Sequence, residues 1–338
     1  MIPRLAASLI AVSVAAFFAW TFAAPVSSDN PSSGLLVVAN QADHTALIVD
    51  PQSRSQLAKI TVGVNGHEVA VSKDGRFAYV PIYGNAGVGK PGTNGASIDV
   101  IDLGSQKLST TIDLGKPLRP HQPLFASDGS LYVTTELDNA ISKVDPAAKR
   151  IVAQIPTGEP ESHMMILSPD AQRAYTANVS TGTVSVLDLA NRKLITKISV
   201  ANHVQRISIS PDGRHVFTHD QDQPRIAVID TATNQISHWI EVPDTAYGSA
   251  VTPDGRWLIA VMPKANRAVA IELNTLQIAK TFDTPKLPGE VLIRPDGGVA
   301  FISCMPAGKI AVLDLTSWTM QPNIDLTPGV DGMAWAAK

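Results

Sequence analysis

Histidines 67, 121 and 163 are the residues of this chain whose types and spacing could do chemistry together. They lie 54 and 42 residues apart. Three imidazoles around an open position form a known zinc arrangement, and imidazole also suits copper. Asp331 could add a carboxylate to such a site. The candidate metal set is therefore His67, His121, His163 and Asp331, with zinc or copper as the ion. The same imidazoles could instead move protons near neutral pH.

Residues so far apart in sequence meet only if a repeating element returns to one place, and the chain carries such a repeat. A short turn recurs as Ser72-Lys73-Asp74-Gly75-Arg76, Ser127-Asp128-Gly129, Ser168-Pro169-Asp170, Ser210-Pro211-Asp212-Gly213-Arg214, Thr252-Pro253-Asp254-Gly255-Arg256 and Arg294-Pro295-Asp296-Gly297. The aspartates at 128, 170, 212, 254 and 296 are 42 residues apart, and the first interval, 54, is one period plus 12. A period of roughly 40–50 residues with strand content predicts a propeller. Proline, aspartate and glycine suit a tight turn through preset φ, backbone bonding and tolerance of positive φ, so these aspartates are read as turn chemistry.

Around each turn, β-branched runs of four to eight residues predict four strands and no helix. Seven innermost strands are expected to begin near His67, His121, His163, Gln205, Tyr247, Gly289 and Asp331. The last has no partner strands after it, whereas Leu35–Val38, Ala46–Asp50 and Gln56–Val62 lack an inner strand. The C-terminal strand should therefore complete the N-terminal sheet and close the ring, which protects its edges. The expected fold is an all-β, seven-bladed propeller of four-stranded antiparallel blades over residues 34–338. A column seven residues before each turn aspartate opens the inner strands at one mouth of the channel, and the three histidines occupy successive places in it. Glu68, Glu161 and Glu290 lie beside this column as candidate orienting groups or a general base.

The same face should carry Asp43, His44, Glu136, Asn178, Asp220, Met262 and Cys304 on loops, with His203 and His219 nearby. His215 and His238 fall elsewhere. The 12-residue insertion, within Tyr83–Ser97, should overhang the His67 and His121 side as a lid. Its Gly87–Gly92 string matches G-x-G-x-x-G and nearly completes a P-loop, but strands on both sides deny it the helix N-terminus that phosphate binding needs.

The repeat resembles the YVTN family of seven-bladed β-propellers. The likeness rests on Leu167-Ser168-Pro169-Asp170 with Ala174-Tyr175-Thr176, and on Ile209-Ser210-Pro211-Asp212-Gly213-Arg214. It implies the propeller fold over nearly all of the chain and no single activity, because the family includes binding proteins beside enzymes.

Composition bounds the rest. The chain has 338 residues, 44% apolar and 17% charged, with a formal net charge of -3, which offers no basic field for nucleic acid. Residues 1–24, with Arg4 before the apolar run Leu5–Ala24, read as a signal peptide or an uncleaved N-terminal anchor, and 25–33 as a linker. No other membrane span is expected, and the location read from this is periplasmic or secreted. Cys304 is the one cysteine, so no intrachain disulfide forms, and it reads as a small buried hydrophobe. The functional expectation is an exported binding protein with a metal ion or polar ligand at the histidine-bearing mouth. A hydrolase or lyase like the propeller lactonases and streptogramin lyases is one alternative. A scaffold for another envelope protein is the other.

Overall fold

The computed structural model describes Met1 and residues 33–338; the signal-peptide reading and most of the linker lie outside the described residues. Among the described residues there are seven four-stranded antiparallel sheets and no α-helix. They form a seven-bladed β-propeller. Blade 1 combines Gly34–Asn40, Thr45–Asp50 and Ser55–Thr61 with the C-terminal strand Val330–Ala337, which takes the inner place. Val37 faces Ala334 and Val38 faces Met333 across that junction. Blades 2 to 7 follow in chain order, their inner strands being Ala70–Val71, Pro120–Phe125, Ser162–Leu167, Ile207–Ile209, Ser249–Val251 and Pro288–Ile293.

Strand alternation explains the packing. Side chains of successive residues point to opposite faces, so a middle strand that is apolar at every position serves both neighbouring blades. Leu36 and Val38 pack towards blade 7, while Val37 and Ala39 pack towards blade 2. Seven apolar clusters result, one in each gap between blades. The outermost strands, with one face in solvent, alternate exposed and partly buried residues, as in Lys193–Ser199.

The repeated turn does the work expected of it. Asp74 accepts hydrogen bonds from the Ser72 hydroxyl (2.6 Å) and the Arg76 N–H (3.1 Å), and Gly75 sits at φ 69°. Asp212 and Asp254 repeat the pattern.

At the opposite mouth the inner strands depart from simple pairing. In blades 2, 5 and 6 the sheet begins three, two and two residues after His67, Gln205 and Tyr247, later than the sequence suggests. In blades 3, 4, 7 and 1 a register shift spans His121, His163, Gly289 and Asp331. A bulge leaves one residue out of the ladder and re-aims its side chain. Two positions before the column, Asn65, Arg119, Glu161, Leu287 and Gly329 all have positive φ, between 49° and 108°. This left-handed step turns the segments leading into five of the seven inner strands towards the channel mouth.

Candidate functional site

The bulged column gathers its side chains around a cavity of about 200 Å³ lined by His67, Glu68, Tyr83, His121, His163, Gln205, Arg206, Tyr247 and Asp331, among others. All three histidines reach it and are 9%, 2% and 4% exposed, so their pairing cannot be left to water.

Each imidazole is held through Nδ1 by an oxygen. His67 Nδ1 lies 2.9 Å from the Asn65 carbonyl, His121 Nδ1 lies 3.1 Å from the His163 carbonyl, and His163 Nδ1 lies 2.5 Å from Glu136 Oε1. Glu136 is itself steadied by the Tyr83 hydroxyl, which donates to Oε2 at 2.6 Å. The His121 and His163 rings stack with centroids 3.6 Å apart. His67 Nε2 meets His121 Nε2 at 2.8 Å.

A proton count over these contacts leaves a deficit. Carbonyl oxygens only accept, and a neutral imidazole has one N–H. The contacts His67–Asn65, His67–His121 and His121–His163 number three and each needs one hydrogen, yet the two neutral rings supply two. With both rings neutral, one of the three contacts therefore lacks its hydrogen. A proton is disfavoured at His121, whose imidazole is held well below its ordinary 6.5 by burial first, then by His163, His67 and Arg206. An oxygen partner on Nδ1 is also found on metal-ligating histidines; here the Nε2 atoms of His67 and His121 face each other.

Asp331 lines the same cavity but engages Arg206 rather than the imidazoles. Arg206 donates through one terminal nitrogen to Glu68 Oε1 at 3.1 Å and Asp331 Oδ1 at 3.3 Å, and its guanidinium lies 5.1 Å from the centroid of the Tyr247 ring. Glu290 accepts the Met333 N–H at 2.6 Å. One guanidinium thus serves a nest of three carboxylates, Glu68, Asp331 and Glu290. Burial raises Glu68 to about 7 against the pull of Arg206, and burial followed by the charge of Glu68 raises Glu290 well above its usual range. Among the described residues no group of three or more His, Cys, Asp or Glu side chains is arranged to hold a metal ion. Asp331 is taken by Arg206, and His163 Nε2 faces the Gln205 amide at 3.2 Å.

The insertion covers the site, and Ala86, Gly87 and Val88 line the cavity. Arg119 pins it, donating to Asn94 Oδ1 and the Lys90 carbonyl at 2.6 Å each and to the Gly87 carbonyl at 3.4 Å. A strand, Ser97–Asp102, follows the glycine string, so the phosphate-loop match is without its helix. A side chain on Gly89 would meet the Glu161 carboxylate at 2.5 Å, which places Glu161 under the lid.

Of the loop residues read from sequence, Glu136 joins the site. Asn178 bonds Ser162 and Ser185, Asp220 pairs with Arg225, and Met262 and Cys304 sit in interblade cores. Burial raises the Cys304 thiol to about 12. His44 accepts the Asn65 N–H at 3.1 Å, Asp43 pairs with Lys59, and His203 pairs with Asp222 near the surface. Sequence reasoning missed Arg206, although a charged residue immediately after the column, as Glu68 and Glu290 also are, was the signal. Another concavity, of about 840 Å³, lies at the turn-bearing end between blades 5 and 6, where His215 and His238 are found. It contains none of the column residues and is open to solvent.

No family model matches the chain, and no curated protein does. Among solved structures, Kuenenia stuttgartiensis hydrazine synthase is similar with TM-score 0.73 and 19% identity, over 84% of this chain and 93% of that one. Dihydro-heme d1 dehydrogenase NirN in complex with DHE is similar with TM-score 0.63 and 18% identity, over 90% of this chain and 75% of that one. At these identities the likeness concerns the propeller fold alone.

Proposed function

We propose that this chain is an exported propeller of the YVTN repeat type that binds a transition metal ion, zinc or copper, at the histidine-bearing mouth. The observation that carries the reading is the 2.8 Å contact between His67 Nε2 and His121 Nε2 while both Nδ1 atoms face carbonyl oxygens. A bound cation removes the proton deficit without charging a buried imidazole. His163, oriented by Glu136, is the third donor, and Asp331 would join only on leaving Arg206. The apolar N-terminal sequence Leu5–Ala24 supports a periplasmic or secreted location as part of this proposal.

Metal analysis of untagged full-length protein tests this. The expected result is about one equivalent of zinc or copper per chain, lost in His67→Ala and His121→Ala with the fold retained. Protein that neither carries nor takes up either metal would overturn it.

A catalytic reading has one observation in its favour. Glu136 and His163 form an orienter–base pair whose imidazole lines a cavity. Turnover of lactones or esters that vanishes in His163→Ala would establish a hydrolase or lyase; its absence across a substrate panel would leave binding as the role.

A further inference from the structure

The insertion over the histidine mouth is built as one piece on a narrow neck. At Gly84, where φ is 93°, a Cβ would stand 2.2 Å from the Thr93 carbonyl oxygen and 2.7 Å from the Gly95 nitrogen. The two ends of the loop therefore touch, and only glycine fits between them. This neck is tied to the blade. The Gly84 N–H donates to the Val64 carbonyl at 3.1 Å, and the Gly84 carbonyl accepts from the Asn65 side-chain amide at 2.8 Å. Residues 85–94 are bonded to one another, the Lys90 N–H to the Gly87 carbonyl at 3.0 Å and the Thr93 N–H to Asn85 Oδ1 at 2.7 Å. Among the described residues, every hydrogen bond that reaches 85–94 from outside comes from one side chain, Arg119.

Arg119 stands two residues before His121 and is itself buried. Its acceptors in the loop are neutral oxygens. Its guanidinium lies 5.9 Å from the centroid of the Tyr83 ring, whose hydroxyl steadies Glu136 and, through it, His163. Ala86, Gly87 and Val88 line the cavity together with the three histidines, which are all nearly closed to solvent. Another wall of the cavity is fixed differently. There Tyr247, Met305 and Asp331 also line an apolar cleft of about 490 Å³ between blades 6 and 7, and Arg206 bonds Asp331 and lies against the Tyr247 ring. A self-bonded loop held by one side chain opens more readily than a wall held by a buried ion pair.

We propose that residues 85–94 are a gate, a flap on the fixed neck of Gly84 and Gly95 that closes the histidine mouth at rest and swings clear when Arg119 lets go. Whatever the mouth binds enters by this route.

The test uses diethyl pyrocarbonate, which acylates uncharged imidazole, on full-length protein freed of metal with a chelator. Modified histidines are located by peptide mass mapping. In the wild type the exposed His203 and His238 should react about tenfold or more faster than His67, His121 and His163. Arg119→Gln should speed the three by about tenfold or more. Asn94→Ala removes one acceptor of the latch and leaves the inner strand intact, and it should speed them by about threefold or more. His219, fully buried in blade 5, should stay unmodified throughout. Wild-type reactivity of the three equal to that of His203 would show a mouth standing open, and unchanged rates in Asn94→Ala would show entry past Tyr247 and Asp331; either overturns the gate. Modification of His219 in step with the three assigns the effect to unfolding and overturns it as well. The metal reading is decided separately, by the metal analysis above.

Discussion

At the residue scale, histidines in this protein differ by what their nitrogens meet. His67, His121 and His163 each have Nδ1 against an oxygen, which sets up Nε2 for chemistry. His219 is fully buried, and neither of its nitrogens has a hydrogen-bond partner among the described residues. Burial lowers it to about 3 from 6.5. A histidine depressed in the folded state contributes stability that is complete above pH 6.5 and is lost as pH falls towards 3, because the unfolded chain then binds a proton that the folded chain refuses. The wild type should therefore lose about 1.4 kcal/mol per pH unit on this account, and His219→Phe should lack that component. Urea midpoints at pH 7, 5.5 and 4.5 measure it; parallel slopes for the two proteins would exclude His219 as the source. The three column histidines were legible from their spacing. The unpartnered state of His219 was not, because it depends on which groups of neighbouring strands surround it.

At the scale of elements, the insertion and the bulged inner strands build the site together. Gly95 ties them: its N–H donates to the Tyr83 carbonyl, and its own carbonyl accepts from Leu118 and Arg119, just ahead of His121. A Cβ at Gly95 would stand 1.6 Å from the Ile82 carbonyl oxygen, so no other residue fits there. Arg119→Gln removes a charged donor from two loop carbonyls. At about 1.5–3 kcal/mol for hydrogen bonds from a charged group, amide hydrogen exchange across residues 84–96 should accelerate about tenfold or more. Unchanged protection would show that the lid is held by other contacts. The lid was readable as an interruption of the 42-residue period. The bulges were not, since Arg119, Glu161 and Leu287 have no sequence preference for positive φ and adopt it because the neighbouring strands set the register.

For the whole molecule, stability is distributed over seven interblade cores, so closing the ring matters more than any one of them. The C-terminal strand places Met333 in the core between blades 7 and 1, and Ala334 and Ala336 in that between blades 1 and 2. Deleting residues 330–338 removes both contributions and bares the edge of Gly34–Asn40. The truncated chain should yield little soluble monomer and no cooperative thermal transition; a monomer melting within a few degrees of the full-length protein would refute a closure role. The repeat also explains why distant polar residues meet. Equivalent positions of successive blades face one axis, so Glu68 and Arg206, 138 residues apart, pair across the mouth.

The sequence by itself determined the number of blades, the closing strand, the turn chemistry and the column containing His67, His121 and His163. These follow from periodicity, which is a one-dimensional property carried by residue type and spacing. Only the tertiary structure decided that Arg206 takes Asp331 away from the imidazoles, that Glu136 orients His163, and that an apolar cleft adjoins the histidine cavity. Those outcomes depend on direction and distance across blades, which bulges and burial set and which a repeat length does not encode.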